Sequence, residues 1–165
     1  MPHSLRCVIV LKAIIGIFFL GCLSVQAELP EGASVAVWDL EYLSPEPEAH
    51  QNISEILSAK VIEAFKESGC CAVVEREQLH LALEELNIGS SSIADETTRL
   101  QIGRIVGAKY MVFGTYFVLG DKMRIDLRLV EVETGSVVKT AQKTTNTPDP
   151  IEWINLAEKA SRDLF

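Results

Sequence analysis

Histidine is almost missing from this chain. There are three in 165 residues, at His3, His50 and His80. No His-Glu-x-x-His or Gly-x-Ser-x-Gly run occurs, and no cysteine has a partner base at a useful spacing, so the familiar zinc, serine and cysteine hydrolase layouts are excluded. Positive charge is the second shortage. Fifteen Lys and Arg stand against 23 Asp and Glu, for a net charge of −8. That balance gives no electrostatic footprint for nucleic acid or for an anionic lipid surface. Long apolar runs are the third. The uncharged stretch Ala13 to Val25 is shorter than the roughly 20 residues that a membrane-spanning helix needs. Internal repeats and low-complexity linkers are also lacking.

What is present begins with that stretch. Arg6 and Lys12 precede it, and Val25-Gln26-Ala27 follows, ahead of Glu28. A basic start, an apolar middle and a small-residue end describe a secretory signal peptide over residues 1–27, cleaved between Ala27 and Glu28. Two other fates compete: an uncleaved anchor, and lipidation at Cys22, where Gly21 suits a lipobox but Phe19 and Leu20 suit it poorly. Cleavage leaves one domain over residues 28–165, long enough for a compact core. It keeps all 23 acidic residues and 13 of the 15 basic ones, for a net charge of −10. Only Cys70 and Cys71 stay in the fold. Adjacent cysteines build no disulfide framework, and the expectation is one thiol buried at a strand start with its neighbour facing the other way.

The periodicities give an order of elements. Ser34–Leu40 reads as a strand, and Glu41–Gln51, with Pro45 and Pro47, as a loop. Asn52 and Glu55 form a capping box for a helix with Ile53, Ile56, Leu57, Val61, Ala64 and Phe65 on one face, stopped by Gly69. Cys70–Val74 is a short buried strand. A second helix runs from Arg76 to Leu86, and Asp95 caps a third that ends before Gly107. Lys109–Leu119 is a nearly continuous apolar run, expected to be a central strand buried on both faces. Met123, Ile125, Leu127 and Leu129 alternate with Arg124, Asp126 and Arg128, giving a strand with one wet face, and the alternation slips at Val130. A turn at Glu133-Thr134-Gly135-Ser136 leads to a strand over Val137–Thr144. Asp149, Pro150 and Glu152 then start a last helix with Trp153, Leu156, Ala157, Ala160 and Leu164 as its buried stripe. The order β-α-β-α-α-β-β-β-α predicts an α/β single domain with a mixed β-sheet flanked by helices.

Candidate chemistry is thin. His80 and Glu84 share a helix face at metal-ligand spacing, but two ligands make no site. Gly103, Gly107 and Lys109 lack the spacing of a phosphate loop, so the glycines are assigned to helix packing and helix ending. Asp39, Glu41, Glu75 and Glu77 fall near strand ends, where α/β proteins place sites, and a solvated acidic rim is the simpler reading. A carboxylate-dependent envelope hydrolase using Asp39 and Glu75 is the remote alternative. No catalytic, cofactor-binding or metal-binding residue is assigned, and no cofactor is expected.

Several blocks carry a resemblance. They are Val35-Ala36-Val37-Trp38-Asp39, Val74-Glu75-Arg76-Glu77-Gln78-Leu79, Ile102 through Tyr110 with Gly103, Gly107 and Ala108, Val112-Phe113-Gly114, and Leu129 through Gly135. Their order resembles the CsgG family of bacterial envelope proteins, with its FlgO-like and LpoB-like members and a fold similar to the TolB N-terminal domain. The resemblance implies a non-enzymatic module in the periplasm, associated with the outer membrane. Its partners would be envelope proteins, met through a sheet edge or the acidic rim near Glu41–Gln51. It also brings the options of homo-oligomerisation, peripheral outer-membrane attachment, and a curli-secretion, flagellar or penicillin-binding-protein activator role. The chain is short for the membrane hairpins of a secretion pore. Intact-mass analysis of exported protein is expected to find a free amino terminus at Glu28; an acylated Cys22 would replace cleavage with lipid tethering.

Overall fold

A computed structural model of the chain describes residues 29–30, 32–43, 53–86 and 95–165. The leader with Cys22, Ala27 and Glu28 lies outside the described residues, as do His50, Asn52 and residues 87–92. In chain order the elements are β1 (Ser34–Val37), β2 (Glu41–Tyr42), α1 (Ile53–Ser68), β3 (Ala72–Val73), α2 (Arg76–Glu85), α3 (Glu96–Ile105), β4 (Tyr110–Leu119), β5 (Lys122–Glu131), β6 (Val137–Thr145) and α4 (Pro150–Arg162). The strands form one mixed sheet in the order β3-β1-β4-β5-β6, with β2 also paired to β4. β1 and β2 run parallel to β4, while β4, β5 and β6 make an antiparallel meander. The expected order therefore holds, with one added element, because Glu41 and Tyr42 form a strand and not the start of a loop.

Local signals explain where the helices stop and start. α3 ends in a two-bond motif: the Gly107 N–H donates to the Arg104 carbonyl (3.1 Å) and the Ala108 N–H to the Gly103 carbonyl (2.9 Å). That geometry needs a left-handed residue, and Gly107 supplies it at φ +71°. Gly103 sits against the sheet, where a Cβ would lie 2.5 Å from the Met111 sulfur. Asp95 caps α3 by accepting from the Thr98 N–H at 2.8 Å. Asp149 caps α4 through the Ile151 N–H at 2.9 Å. The expected box through Glu152 is not made: the Asp149 N–H donates to Thr147 Oγ1, and Glu152 accepts from Asn155.

Two apolar clusters hold the sheet between helices. On one face α1 and α4 cover Val35, Val37, Val112, Tyr116, Ile125, Leu127 and Leu129 with Leu57, Val61, Phe65, Trp153, Ala157 and Ala160. On the other, α2 and α3 cover Ala36, Trp38, Met111, Phe113 and Val130 with Leu79, Ala82, Leu83 and Ile102. Fully burying each large side chain stabilises the fold by about 1.5–3 kcal/mol. Ile56 departs from the expected α1 stripe and is half exposed (51%). β4 is enclosed on both faces only as far as Gly114, for Thr115, Phe117 and Val118 are partly exposed. The slip at Val130 marks two things: Val130 turns under α2 and α3, and the β5–β6 register shifts there.

One irregularity sets the phase of the sheet. Val37 pairs with Val112 and Glu41 with Thr115, so four steps along the β1–β2 segment oppose three along β4. The extra residue is a bulge that reverses the alternation. Leu40 thereby enters the α1/α4 core, and Glu41 turns to the opposite face. Main-chain groups released from β4 find partners on α1: the Leu40 N–H donates to Ser58 Oγ at 2.9 Å, and the Leu40 carbonyl accepts from Ser54 Oγ. Gly114 makes room, since a Cβ there would stand 2.6 Å from Leu127 Cδ2 and 2.9 Å from Leu40 Cγ.

Ser58 is buried, so Ser58→Ala leaves the Leu40 N–H without a partner. A loss of about 1–3 kcal/mol is expected in urea unfolding, and an unchanged midpoint would show that the bulge does not need this bond. The Thr98 N–H holds the Asp95 carboxyl below its usual range. The folded pKa lies under the unfolded one, so the cap contributes fully above about pH 4 and fades as pH falls further. Asp95→Ala should lower the melting temperature at pH 7, with the two proteins converging toward pH ~3.

Candidate functional site

α2 and α3 are ten residues each and cover only the near half of their face. Beyond Phe113 and Val130 the meander is open on that side. The registers arrange its outward side chains in three rows: Phe113–Arg128–Thr140, Thr115–Asp126–Gln142 and Phe117–Arg124–Thr144. Glu41, brought round by the bulge, and Arg99 from α3 complete one wall. Together with Phe113, Thr115, Asp126, Arg128, Thr140 and Gln142 they line an open groove of about 380 Å³.

Arginine dominates this groove. The Arg128 guanidinium lies 5.3 Å from the Phe113 ring centre and bonds Glu96 at 3.1 Å. Arg99 stands 5.6 Å over the Trp38 ring and contacts the Glu41 carboxylate. Arg124 grips Asp126 with two bonds of 2.7 and 2.6 Å, and that carboxylate raises the guanidinium pKa further. Three arginines are thus each held by one carboxylate in an acidic domain. The open Arg124 and Arg128 pairs contribute about 0–1 kcal/mol each, so they exchange partners at little cost, whereas the Arg99–Glu41 pair is half-buried and fixed in the wall. Arginine and aromatic side chains are the types enriched where proteins meet.

Asp39, Glu41 and Glu75 have structural work, and Glu77 is exposed on α2. Asp39 and Glu55 both bind Arg76, each at 3.0 Å, which ties the end of β1 to the starts of α1 and α2. Glu75 binds Lys66 at 2.9 Å. Glu41 alone of that set enters the groove. His80 and Glu84 are exposed on α2. Among the described residues, no three metal-binding side chains lie within reach of one ion. The described sheet has edges at the two-residue β3 and at β6, the longer one guarded by Lys139, Lys143 and the register shift. Of the expected acidic rim, Glu41, Tyr42 and Leu43 are described. Cys70 and Cys71 fall outside the two-residue β3, in a bend, and both are half-buried with their sulfurs 3.4 Å apart. The expectation of opposed thiols is corrected: a bend, unlike a strand, lets neighbouring side chains share a side. The sequence reading recognised Arg124, Asp126 and Arg128 as a wet strand face but missed Arg99 and Gln142, which reach it only through the tertiary fold.

No curated protein sequence matches this chain. Among solved structures, the LpoB C-terminal domain from Salmonella enterica superposes with a TM-score of 0.59 at 18% identity, covering 72% of this chain and 86% of that one. A PelC dodecamer from Paraburkholderia phytofirmans gives 0.51 at 16% identity, with 84% and 91% covered. Lipoprotein GNA1162 from Neisseria meningitidis gives 0.53 at 15% identity, with 69% and 80% covered. At these identities the likeness establishes the fold. The family model described as "Curli production assembly/transport component CsgG" matches residues 33–120, more than half of the chain and the span that holds Glu41, Arg99, Phe113 and Thr115. The chain belongs to the CsgG family.

Proposed function

We propose that this protein is a non-enzymatic periplasmic module, associated with the outer membrane, that supports envelope assembly or secretion by binding another envelope protein through the open face of its sheet. The observation that carries the reading is the groove itself. An open half-sheet displays Arg124 and Arg128, each tied to a carboxylate that a partner's own acidic groups can replace, beside the half-buried Arg99–Glu41 pair. Phe117, partly exposed on the same face, supplies an apolar contact, and Thr115, Thr140 and Gln142 supply adaptable hydrogen bonds. Family membership and the signal segment support the envelope setting. A second reading, a subunit of a curli-type outer-membrane secretion apparatus, draws on the description of the family and on a dodecameric structural neighbour. Penicillin-binding-protein activator-like and flagellar accessory roles share the same binding chemistry.

A photo-crosslinking residue at Gln142 is expected to capture an envelope protein in living cells, while one at Glu67, on the exposed side of α1, captures none. Arg124→Ala and Arg128→Ala should each weaken capture by about 2 kcal/mol, roughly 30-fold, as truncated interface arginines do. Stability should move by no more than about 1 kcal/mol, since both pairs are exposed. Full capture in both variants, or equal capture at Glu67, would remove the groove from the reading. Ladders of this chain crosslinked to itself would favour the ring-forming subunit.

A further inference from the structure

We propose that Cys70 and Cys71 form a vicinal dithiol site for a soft, pyramidal trivalent centre, of which arsenic(III) is the type. The pair lies at the end of α1, away from the groove, and no part of the proposed binding role uses it. Its sulfurs are 3.4 Å apart and its thiols are free. Ser68 Oγ stands 3.0 Å from Cys70 Sγ and accepts the Cys70 N–H, which pins the first thiol. Both cysteines pack against the α1/α4 cluster, so the pair has an apolar backing and an open side.

The separation suits a soft centre with a narrow bite. With sulfur bonds of about 2.3 Å, two sulfurs 3.4 Å apart subtend roughly 95° at the bound atom. A linear two-coordinate ion would need about 4.6 Å between sulfurs, and a tetrahedral one about 3.8 Å. A tetrahedral ion also wants further ligands, and among the described residues no third metal-binding group joins the pair. A near-right angle suits a trivalent pyramidal atom that takes two sulfurs and keeps one substituent.

Protonation points the same way. Burial, with Cys70 beside it, pushes the Cys71 thiol up to about 12, so it is a thiol at neutral pH. A divalent cation would have to expel that proton. An organoarsenic(III) oxide brings its own acceptor for that proton: two arsenic–sulfur bonds form, the arsenic–oxygen bond breaks, and both thiol protons leave with the oxygen as water. Nothing is oxidised or reduced.

The test uses the reduced full-length chain and phenylarsine oxide. Trypsin releases Glu67–Arg76, which holds both cysteines and neither Cys7 nor Cys22. One phenylarsenic bridge is expected on that peptide, retained in excess glutathione and removed by 2,3-dimercaptopropanol. Cys70→Ser and Cys71→Ser should each cut retention at least tenfold. Because the folded pair is preset, the reagent should bind the native protein more tightly than the urea-unfolded one and raise its melting temperature. Equal retention in either serine variant, or equal affinity in native and unfolded wild type, would overturn the site.

Discussion

The Glu41 wall of the groove and the packing of Leu40 and Tyr42 depend on how the main chain of Leu40 is held. Strand alternation has a period of two, so one residue too many between Val37 and Glu41 moves the β2 side chains to the opposite face. Without it, Leu40 would project toward the groove, and Glu41 would be driven into the core beside Tyr116. With it, Leu40 fills the space above Gly114, and Tyr42 stacks against Tyr116 with ring centres 5.1 Å apart. The arrangement is stable only because Ser54 and Ser58 replace the sheet bonds that Leu40 gives up. A buried N–H without a partner costs about 1–3 kcal/mol, comparable to the gain from burying Leu40, so the serines decide whether the bulge can exist.

The groove follows from the same constraint together with the shortness of α2 and α3. Gly103 lets α3 settle on Met111, and Gly107 ends it abruptly. Its N-terminal half then lies where Glu96 reaches Arg128 and Arg99 reaches Glu41. Longer helices would have covered Thr115 and Asp126 and made an ordinary three-layer interior. The α1/α4 side shows that alternative, since α1 runs for sixteen residues and α4 for thirteen over a continuous core.

These facts also mark what could be read from residues alone. Helix starts at Asp95 and Asp149, the stop at Gly107, and the wet face of β5 are local matters, fixed by a side chain and its near neighbours in sequence, and all were legible. The bulge was not. Its cause is a pair of serines fourteen and eighteen residues downstream of Leu40, on another element. The exposure of Thr115 and Phe117 was hidden for a like reason: an apolar run looks the same whether or not a helix reaches its far end. Cys70 and Cys71 sat within a β-branched stretch, yet a tight exit from α1 took them out of the strand. The groove is therefore half visible in sequence, as the Arg124-x-Asp126-x-Arg128 alternation. Its other half, Arg99 and Glu41, is assembled by packing.

A surface of compensated charges behaves unlike a bare basic patch. Each guanidinium in the groove already has a carboxylate, so the region presents little net field, and long-range attraction of an acidic partner is weak within an acidic domain. What a partner gains on arrival is an exchange of one ion pair for another, near zero in net energy while both remain exposed. Affinity must then come from desolvation: Phe113 and Trp38 are already buried, so once a partner covers the Arg128 guanidinium its cation–π contact passes from about 0.5–1 kcal/mol toward about 2. A partner that covers the groove without supplying carboxylates at matching positions strands a guanidinium away from water, which costs more than the contact returns. Discrimination accordingly rests on the spacing of a partner's acidic groups along three rows fixed by the β4–β5–β6 registers, beside the wall that the bulge at Leu40 builds by turning Glu41 to this face.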